Sequence, residues 1–573
     1  MENKNQSQDD VIQAILAIGS IAGIVAFGPA LGLGAYIWFR TEYFRAVSKM
    51  KLFLWGMGFV LTGMMGWILW LDRFPLYYLD FLNQKAFYQL KWVVVFRMLD
   101  FGWWMGVGAV LMLSPFVIAF KKSGAGLKSS DFKVKIKDTK KFFKVFKNRE
   151  QIPLGYDLKQ GVVSYLTEEQ CSSHVLILGA TGSGKTTLIV LMILHAIFHR
   201  RPCIVIDPKG SETTLNFIKK IGRMLSPDLD SRFRVFRMNK PKESCQYNPL
   251  KHGNASQIKD RILEALNWSE QFYQSVAGDF LTTITACAEF LGMTLTLGDV
   301  VALTSRLKLN EMSTKLRELA ETQNPGAKIL HERLKDLIAK TKESDLLGLQ
   351  AQLLVLYSPS LMSVFAPTDP KKEIDLREVL AKNQIAYFQL STLGNPDTAR
   401  RLGRMITEDI KGLASYVLDN IHEDDRKFLP IFIDEFGSFA SKEFIENIKQ
   451  VREAKFGVHL STQGLEDLDV VSPAFRRQAS SNPMTKIAFR LDDSETVDEI
   501  CSMAGTAEGE EQSYQVEGQW MPKKTGLGNM RKTRQMMIEH DVLKNLNVGQ
   551  AVVIEKSPSR VTALRVFDPG NLV

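Results

Sequence analysis

Hydrophobic positions come first in unbroken blocks and only later in a rhythm. Val11–Phe39, Leu52–Leu71 and Phe101–Phe120 carry no charge over 29, 20 and 20 residues. Each reaches the ~20 residues that an α-helix needs to cross the core of a bilayer. The linker 40–51 holds Arg40, Arg45, Lys49 and Lys51, and residues 121–150 hold ten lysines and Arg149 against Asp131, Asp138 and Glu150. The positive-inside bias puts both in the cytoplasm and the nearly balanced loop Asp72–Asp100 outside. The pattern predicts a transmembrane anchor over 1–120, with three spans and an external N-terminus. A two-span version stays open, with Val11–Phe39 re-entrant or interfacial, because Gly19, Gly23, Gly28, Pro29, Gly32 and Gly34 weaken it as a straight helix. Both versions leave everything beyond residue 121 in the cytoplasm.

Beyond residue 150 short apolar runs end in polar turns, as buried strands of an α/β sheet do. Val175–Leu178 leads through a glycine-rich turn into the helical pattern Leu188–Phe198. Cys203–Asp207 runs into Pro208-Lys209-Gly210, Phe428–Ile433 ends in Asp434-Glu435, and Gly457–Thr462 ends at Gln463. The gap between Asp207 and Asp434 is far longer than adjacent strands of a compact sheet need. Within it Met312, Leu316 and Leu319, then Leu330, Leu334, Leu337 and Ile338, keep helical spacing, so helices fill it. Phe132, Val134 and Ile136 alternate with lysines, the period of a half-buried strand. Ala507–Arg534 reads as an exposed hairpin or loop.

Composition changes this picture little. The chain is 45% hydrophobic and 24% charged, as ordinary globular proteins are. Its net charge of +9 is concentrated in 121–150, so a general nucleic-acid coat is not implied. That basic linker suits anionic membrane lipids, and serves equally as a solvated topology determinant. Residues 299–342 hold nine basic against six acidic side chains, the balance of a solvated helix surface rather than a DNA-binding face. Cys171, Cys203, Cys245, Cys287 and Cys501 are scattered, as free thiols in a reducing compartment are, and the histidines form no zinc spacing.

The chemistry lies in the strand endings. Gly179-Ala180-Thr181-Gly182-Ser183-Gly184-Lys185-Thr186 is a P-loop, set between a strand and a helix as the motif requires. Its backbone N–H groups curl around phosphates, and the helix N-terminus adds a favourable dipole. Gly179, Ala180, Thr181, Gly182, Ser183, Gly184, Lys185, Thr186 and Thr187 are thus the expected cradle for ATP. Lys185 is expected on the β- and γ-phosphates, and Thr186 on Mg²⁺. Asp434 suits the Mg²⁺ shell through water, and Glu435 the general base that deprotonates or orients the attacking water. Gln463 suits a γ-phosphate sensor or water-positioning group, or is simply a polar strand end.

The sequence resembles the coupling proteins of type IV secretion systems, the TraG/TraD-like ATPases. The matching segments are the P-loop Gly179–Thr187, VIDPKG at Val205–Gly210, YNPL at Tyr247–Leu250 and FIDEFGSF at Phe432–Phe439. VREAKFGVHLSTQGLEDL at Val451–Leu468, SNPMTKIAFR at Ser481–Arg490 and VLKNLNVGQAVVI at Val542–Ile554 follow in order. The resemblance implies a RecA-like nucleotide-binding domain over 151–255 and 360–573, with an all-α domain inserted at 256–359. It also implies an N-terminal anchor in the bacterial inner membrane and a homo-oligomer, a hexameric ring around a channel. The implied partners are type IV secretion channel subunits, substrate proteins or adaptors, and DNA. The expected function is ATP-driven delivery of protein effectors or relaxase–DNA complexes into the channel. Two alternatives stay open: a membrane-tethered double-stranded DNA translocase, and a substrate receptor whose nucleotide site only gates assembly. Most members show two spans, and many continue past the motor into a long acidic tail where this sequence stops at Val573, which leaves substrate choice open.

Ring ATPases of this superfamily complete each site with an arginine from the neighbouring subunit. Arg452, between Glu435 and Gln463, matches that position. It also reads as a helix-surface arginine paired with Glu446 or Glu453. Arg401, Arg404, Arg476 and Arg477 are the other candidates.

Overall fold

The computed structural model describes residue 127 and residues 129–132 and 145–572, apart from 269, 322–323, 440–449, 470 and 518–522. The three apolar blocks, the linker 40–51 and most of the basic run lie outside the described residues. Among those described, no helix is long and apolar enough to cross a membrane. Ser129–Phe132 forms a 3-10 turn rather than a strand, while Val134 and Ile136 lie outside the described residues. Gly126–Ala507 and Arg534–Val573 form one compact unit. Thr506–Glu517 and Lys523–Met536 pair as a separate two-stranded sheet.

The compact unit is built on eleven strands: β1 Gln151–Asp157, β2 Val163–Thr167, β3 Val175–Leu178, β4 Cys203–Asp207, β5 Phe233–Arg237, β6 Ile385–Gln389, β7 Leu429–Ile433, β8 Phe456–Thr462, β9 Thr485–Ala488, β10 Gln550–Lys556 and β11 Ser559–Val566. They form one sheet in the order β2-β1-β11-β10-β9-β3-β8-β7-β4-β6-β5. From β9 to β5 every pairing is parallel. From β2 to β9 every pairing is antiparallel. The sheet is therefore mixed, with a parallel half and an antiparallel flank made from both ends of the compact unit.

The parallel strands are apolar at successive positions because both faces are covered. Leu176, Leu178, Ile204, Ile206, Ile431 and Ile433 belong to one buried cluster. Their neighbours Val175, Ile177, Cys203, Val205 and Phe432 belong to the other, as the period of two demands. Helices α1 (Lys185–Phe198) and α2 (Glu212–Leu225) cover that second face with Leu188, Ile193, Leu215 and Ile218.

Between Tyr247 and Glu373, on the way from β5 to β6, the chain runs through six described α-helices: α3 Ala255–Ala265, α4 Gln271–Phe290, α5 Leu297–Leu303, α6 Arg306–Glu321, α7 Pro325–Lys340 and α8 Glu343–Leu356. Met312, Leu316, Leu334 and Leu337 are buried, while Leu319 is exposed, so the stripe on α6 ends one turn early. At the neck, Gln246–Tyr247 pairs in parallel with Glu373–Ile374 and draws the two ends of this excursion together. Polar groups fasten the neck to α9 (Pro396–Asn420). Asp409 on α9 accepts from Tyr247 Oη at 2.8 Å and pairs with Arg261 of α3 at 3.1 Å. Arg261 is 1% exposed and also donates to the carbonyls of Pro249 and His252. Asp375 receives Lys251 at 2.9 Å and His252 at 2.8 Å.

Candidate active site

In a parallel sheet the C-terminal strand ends share one edge, and here that edge gathers the polar residues. The P-loop leaves β3 and is pinned at once: Gly179 N–H donates to the Gln463 carbonyl past β8 (3.2 Å), and Ala180 N–H to the Arg490 carbonyl past β9 (2.8 Å). Gly184 opens α1 at φ 117°. A Cβ there would lie 3.1 Å from the Gly549 backbone and 3.2 Å from the Phe489 ring, so both conformation and space ask for glycine. Gly549 N–H in turn donates to the Ser183 carbonyl at 2.8 Å. Gln550, the next residue, donates through its side chain to the Phe132 carbonyl at 2.7 Å.

Lys185 is buried and folds over its own loop, donating to the carbonyls of Gly179 and, at 3.3 Å, Ala180. Burial lowers its pKa, opposed by the charges of Glu435, Asp434 and Asp467, while Lys209 adds to the lowering. Residues far apart in sequence therefore share one field. Asp434 stands at the end of β7, its N–H on the Ile206 carbonyl (3.2 Å), and its carboxylate accepts from Ser461 Oγ at 2.9 Å. Glu435 follows in left-handed backbone, φ 45° and ψ 50°. That region costs a side-chain-bearing residue about 1 kcal/mol or more and is frequently found at functional sites.

Glu435 is held by Lys209 at 2.6 Å and by Gln463 Nε2 at 3.3 Å. Thr181 Oγ donates to Gln463 Oε1 at 3.2 Å, so the glutamine bridges the P-loop and the carboxylate. Asp467 orders the loop after β8, accepting from Thr462 Oγ at 2.8 Å and Gln463 N–H at 3.2 Å. The structure thus brings together Lys185, Asp434, Glu435 and Gln463, and adds Lys209 and Asp467, which motif spacing alone does not single out. Thr186 and Thr187 lie half-buried in the first turn of α1. The carboxylate of Asp207 is turned inward, onto the N–H groups of Lys209, Gly210 and Ser211 and the Tyr387 hydroxyl.

Arg452 is exposed and makes no ion pair among the described residues; Glu446 lies outside them. Arg401 and Arg476 are buried in pairs with Asp397 and with Asp469, Glu495 and Glu499. Arg404 donates to Asn267 at 2.9 Å, and Arg477 is exposed. Among the described residues no cluster of histidine, cysteine and carboxylate groups could hold a metal by itself. The five cysteines are free. A hydroxyl and a single carboxylate beside a phosphate cradle do fit Mg²⁺, which is bound in such sites through few protein ligands plus phosphate and water.

Residues 136–240 match the FtsK/SpoIIIE family, and residues 429–548 match the TraM recognition site of TraD and TraG. The chain is 20% identical over 406 residues to the type 4 coupling protein DotL of Legionella pneumophila, covering 62% of this chain and 52% of DotL. These matches support a resemblance to the type IV coupling protein family. A shorter stretch of the chain, 94 residues, is 37% identical to the DNA translocase FtsK of Caldanaerobacter subterraneus, covering 16% of this chain and 13% of that one. Its fold is similar to that of the bacterial conjugative coupling protein TrwBdeltaN70, with a TM-score of 0.52 at 15% identity over 75% of this chain and 92% of that one. The likeness is one of fold, an α/β unit on a mixed sheet with the P-loop leaving a parallel strand. The chain spans about half the length of DotL, the 52% given above.

Proposed function

We propose that the chain is an inner-membrane ATP hydrolase that collects substrates and drives them into a type IV secretion channel. The observation that carries this reading is the gathering of Lys185, Asp434, Glu435 and Gln463 at one strand edge beneath the P-loop. The cradle Gly179–Thr187 donates backbone N–H groups to the phosphates, and Lys185 exchanges its loop carbonyls for phosphate oxygens. Thr186 and Asp434 would hold Mg²⁺, which when bound neutralises charge on the phosphates. Glu435 takes the proton of the attacking water, and Gln463 orients that water from the same edge. In the assembled hexamer Arg452 reaches the neighbour's γ-phosphate, which suits an exposed guanidinium that stays charged. The three apolar blocks anchor the ring in the membrane, and substrate proteins, adaptors or relaxase–DNA complexes are its cargo.

A membrane-tethered DNA translocase is the second reading, favoured by the match of residues 136–240 to the FtsK/SpoIIIE family. Hydrolysis by the membrane-assembled full-length chain, with and without duplex DNA, separates the two. Stimulation by bare duplex DNA supports the translocase, and stimulation by channel subunits or cargo protein supports the coupling role. Lys185→Ala should abolish nucleotide binding or turnover. Glu435→Gln should keep ATP bound while slowing turnover by about a hundredfold or more, the usual worth of a general base. Hydrolysis at the normal rate by Glu435→Gln would remove the base assignment.

A further inference from the structure

Lys209 lies outside the P-loop and the acidic strand ending, yet its ammonium sits 2.6 Å from Glu435. An ordinary surface pair contributes little, but this one differs in how both partners are held. Lys209 projects from a turn fixed by Asp207, which accepts from Lys209 N–H at 3.0 Å, Gly210 N–H at 3.2 Å and Ser211 N–H at 3.1 Å. The Pro208 carbonyl takes Thr392 N–H at 2.9 Å, and the Gly210 carbonyl takes Gln389 Nε2 at 2.9 Å. Gly210 has φ +65°, and a Cβ there would lie 2.2 Å from the Leu390 carbonyl oxygen, so the turn has no slack. The Glu435 side chain is only 13% exposed, on left-handed backbone.

We propose that Lys209 is a positioning residue that clasps Glu435 until a terminal phosphate displaces it, so the site distinguishes a nucleoside triphosphate from a diphosphate. This rests on the ATP-hydrolase reading above. A carboxylate engaged by an ammonium is a poor proton acceptor, because its lone pairs and charge are already committed. Releasing it requires another anion for the ammonium, and the γ-phosphate is the anion that a triphosphate brings to Lys185. Lys209 and Lys185 already share one field. Lysine suits an exchange of this kind, being a point charge with rotatable donors on a flexible stem, half-exposed here at 47%. Burial works against the Lys209 ammonium, but Glu435, Asp434 and Asp207 outweigh it and hold its pKa above the ordinary value.

The test uses the full-length chain with Mg²⁺, and ADP and the non-hydrolysable analogue AMPPNP as probes competing with a fluorescent nucleotide. Lys209→Ala should lower the preference for AMPPNP over ADP by about tenfold, the worth of one charge-assisted hydrogen bond, through weaker AMPPNP binding. Lys209→Arg should restore most of it. Without nucleotide, Lys209→Ala and Glu435→Gln should be non-additive in thermal stability, because each removes the same pair. An unchanged AMPPNP/ADP preference in Lys209→Ala, or additive stabilities, would overturn the proposal while leaving the hydrolase reading intact if Lys185→Ala fails to bind or to hydrolyse ATP. Normal binding together with normal hydrolysis by Lys185→Ala would overturn the hydrolase reading, and this proposal with it.

Discussion

At the scale of single residues, burial decides what a side chain can do. His459 on β8 lies 1% exposed against the Phe432 ring, its Nδ1 on the Gly457 carbonyl. Burial holds its pKa down to about 4, and His195 likewise. Below pH 6.5 the unfolded chain takes a proton that the folded chain refuses until about pH 4. Stability present above pH 6.5 is therefore lost as pH falls, by up to about 3 kcal/mol for each ring. Urea midpoints at pH 7 and pH 5 should fall more for the parent than for His459→Phe. Gly210→Ala should cost at least about 2 kcal/mol in the same measurement, since left-handed backbone and a carbonyl contact both oppose the new methyl. Lys185, Asp434, Glu435 and Gln463 were legible in the sequence because motif spacing and strand endings are local. Lys209 and Asp467 were not, because what they meet depends on sheet order, and strand endings alone do not say that β4 lies beside β7.

At the scale of elements, apolar rhythm read the strands well: Val175–Leu178 and Cys203–Asp207 match in extent, and β7 and β8 differ at their ends by a residue. It could not read the flank, where β1, β2, β10 and β11 come from opposite ends of the compact unit and meet only through tertiary packing. Nor could it read the neck. YNPL stands in the sequence only as a matching segment, but its tyrosine serves a buried junction with Asp409 and Arg261. Burial raises the Asp409 pKa, and Arg261 and the Tyr247 hydroxyl work against that rise. Arg261→Met should cost about 3 kcal/mol by leaving the buried carboxyl without its ion-pair partner, and Asp409→Asn in the same chain should recover part of the loss. Denaturation of the two single variants and the double variant measures the coupling; additivity would show that the pair does not act as one.

At the scale of the whole molecule, the expectations concern what surrounds the compact unit. Reporters fused after residue 45 or residue 125 should be cytoplasmic, and one near Tyr78 external. Labelling of residues 1–10 from outside intact cells should succeed with three spans and fail with two. Mixing Arg452→Ala with Lys185→Ala, each inactive alone, should regain some hydrolysis if Arg452 serves the neighbour's site, because some interfaces then pair an intact P-loop with an intact arginine. Full activity of Arg452→Ala by itself would end that assignment.

The adjacent residues Gly549 and Gln550 grip two different things, the phosphate cradle through the Ser183 carbonyl and the segment 127–132 through the Phe132 carbonyl. That segment is also stitched to the C-terminal part by Leu127 N–H on the Met537 carbonyl at 2.6 Å and to Lys159 through Asp131 at 3.3 Å. The two grips lie in series. Tension reaching Phe132 would have a path of one peptide unit and two hydrogen bonds to the P-loop. If the apolar blocks of the sequence anchor the chain, load on them should register as a change in nucleotide release rate. Gln550→Ala, with its side-chain bond gone, should release nucleotide at the same rate with residues 1–126 present or removed, whereas the parent should not.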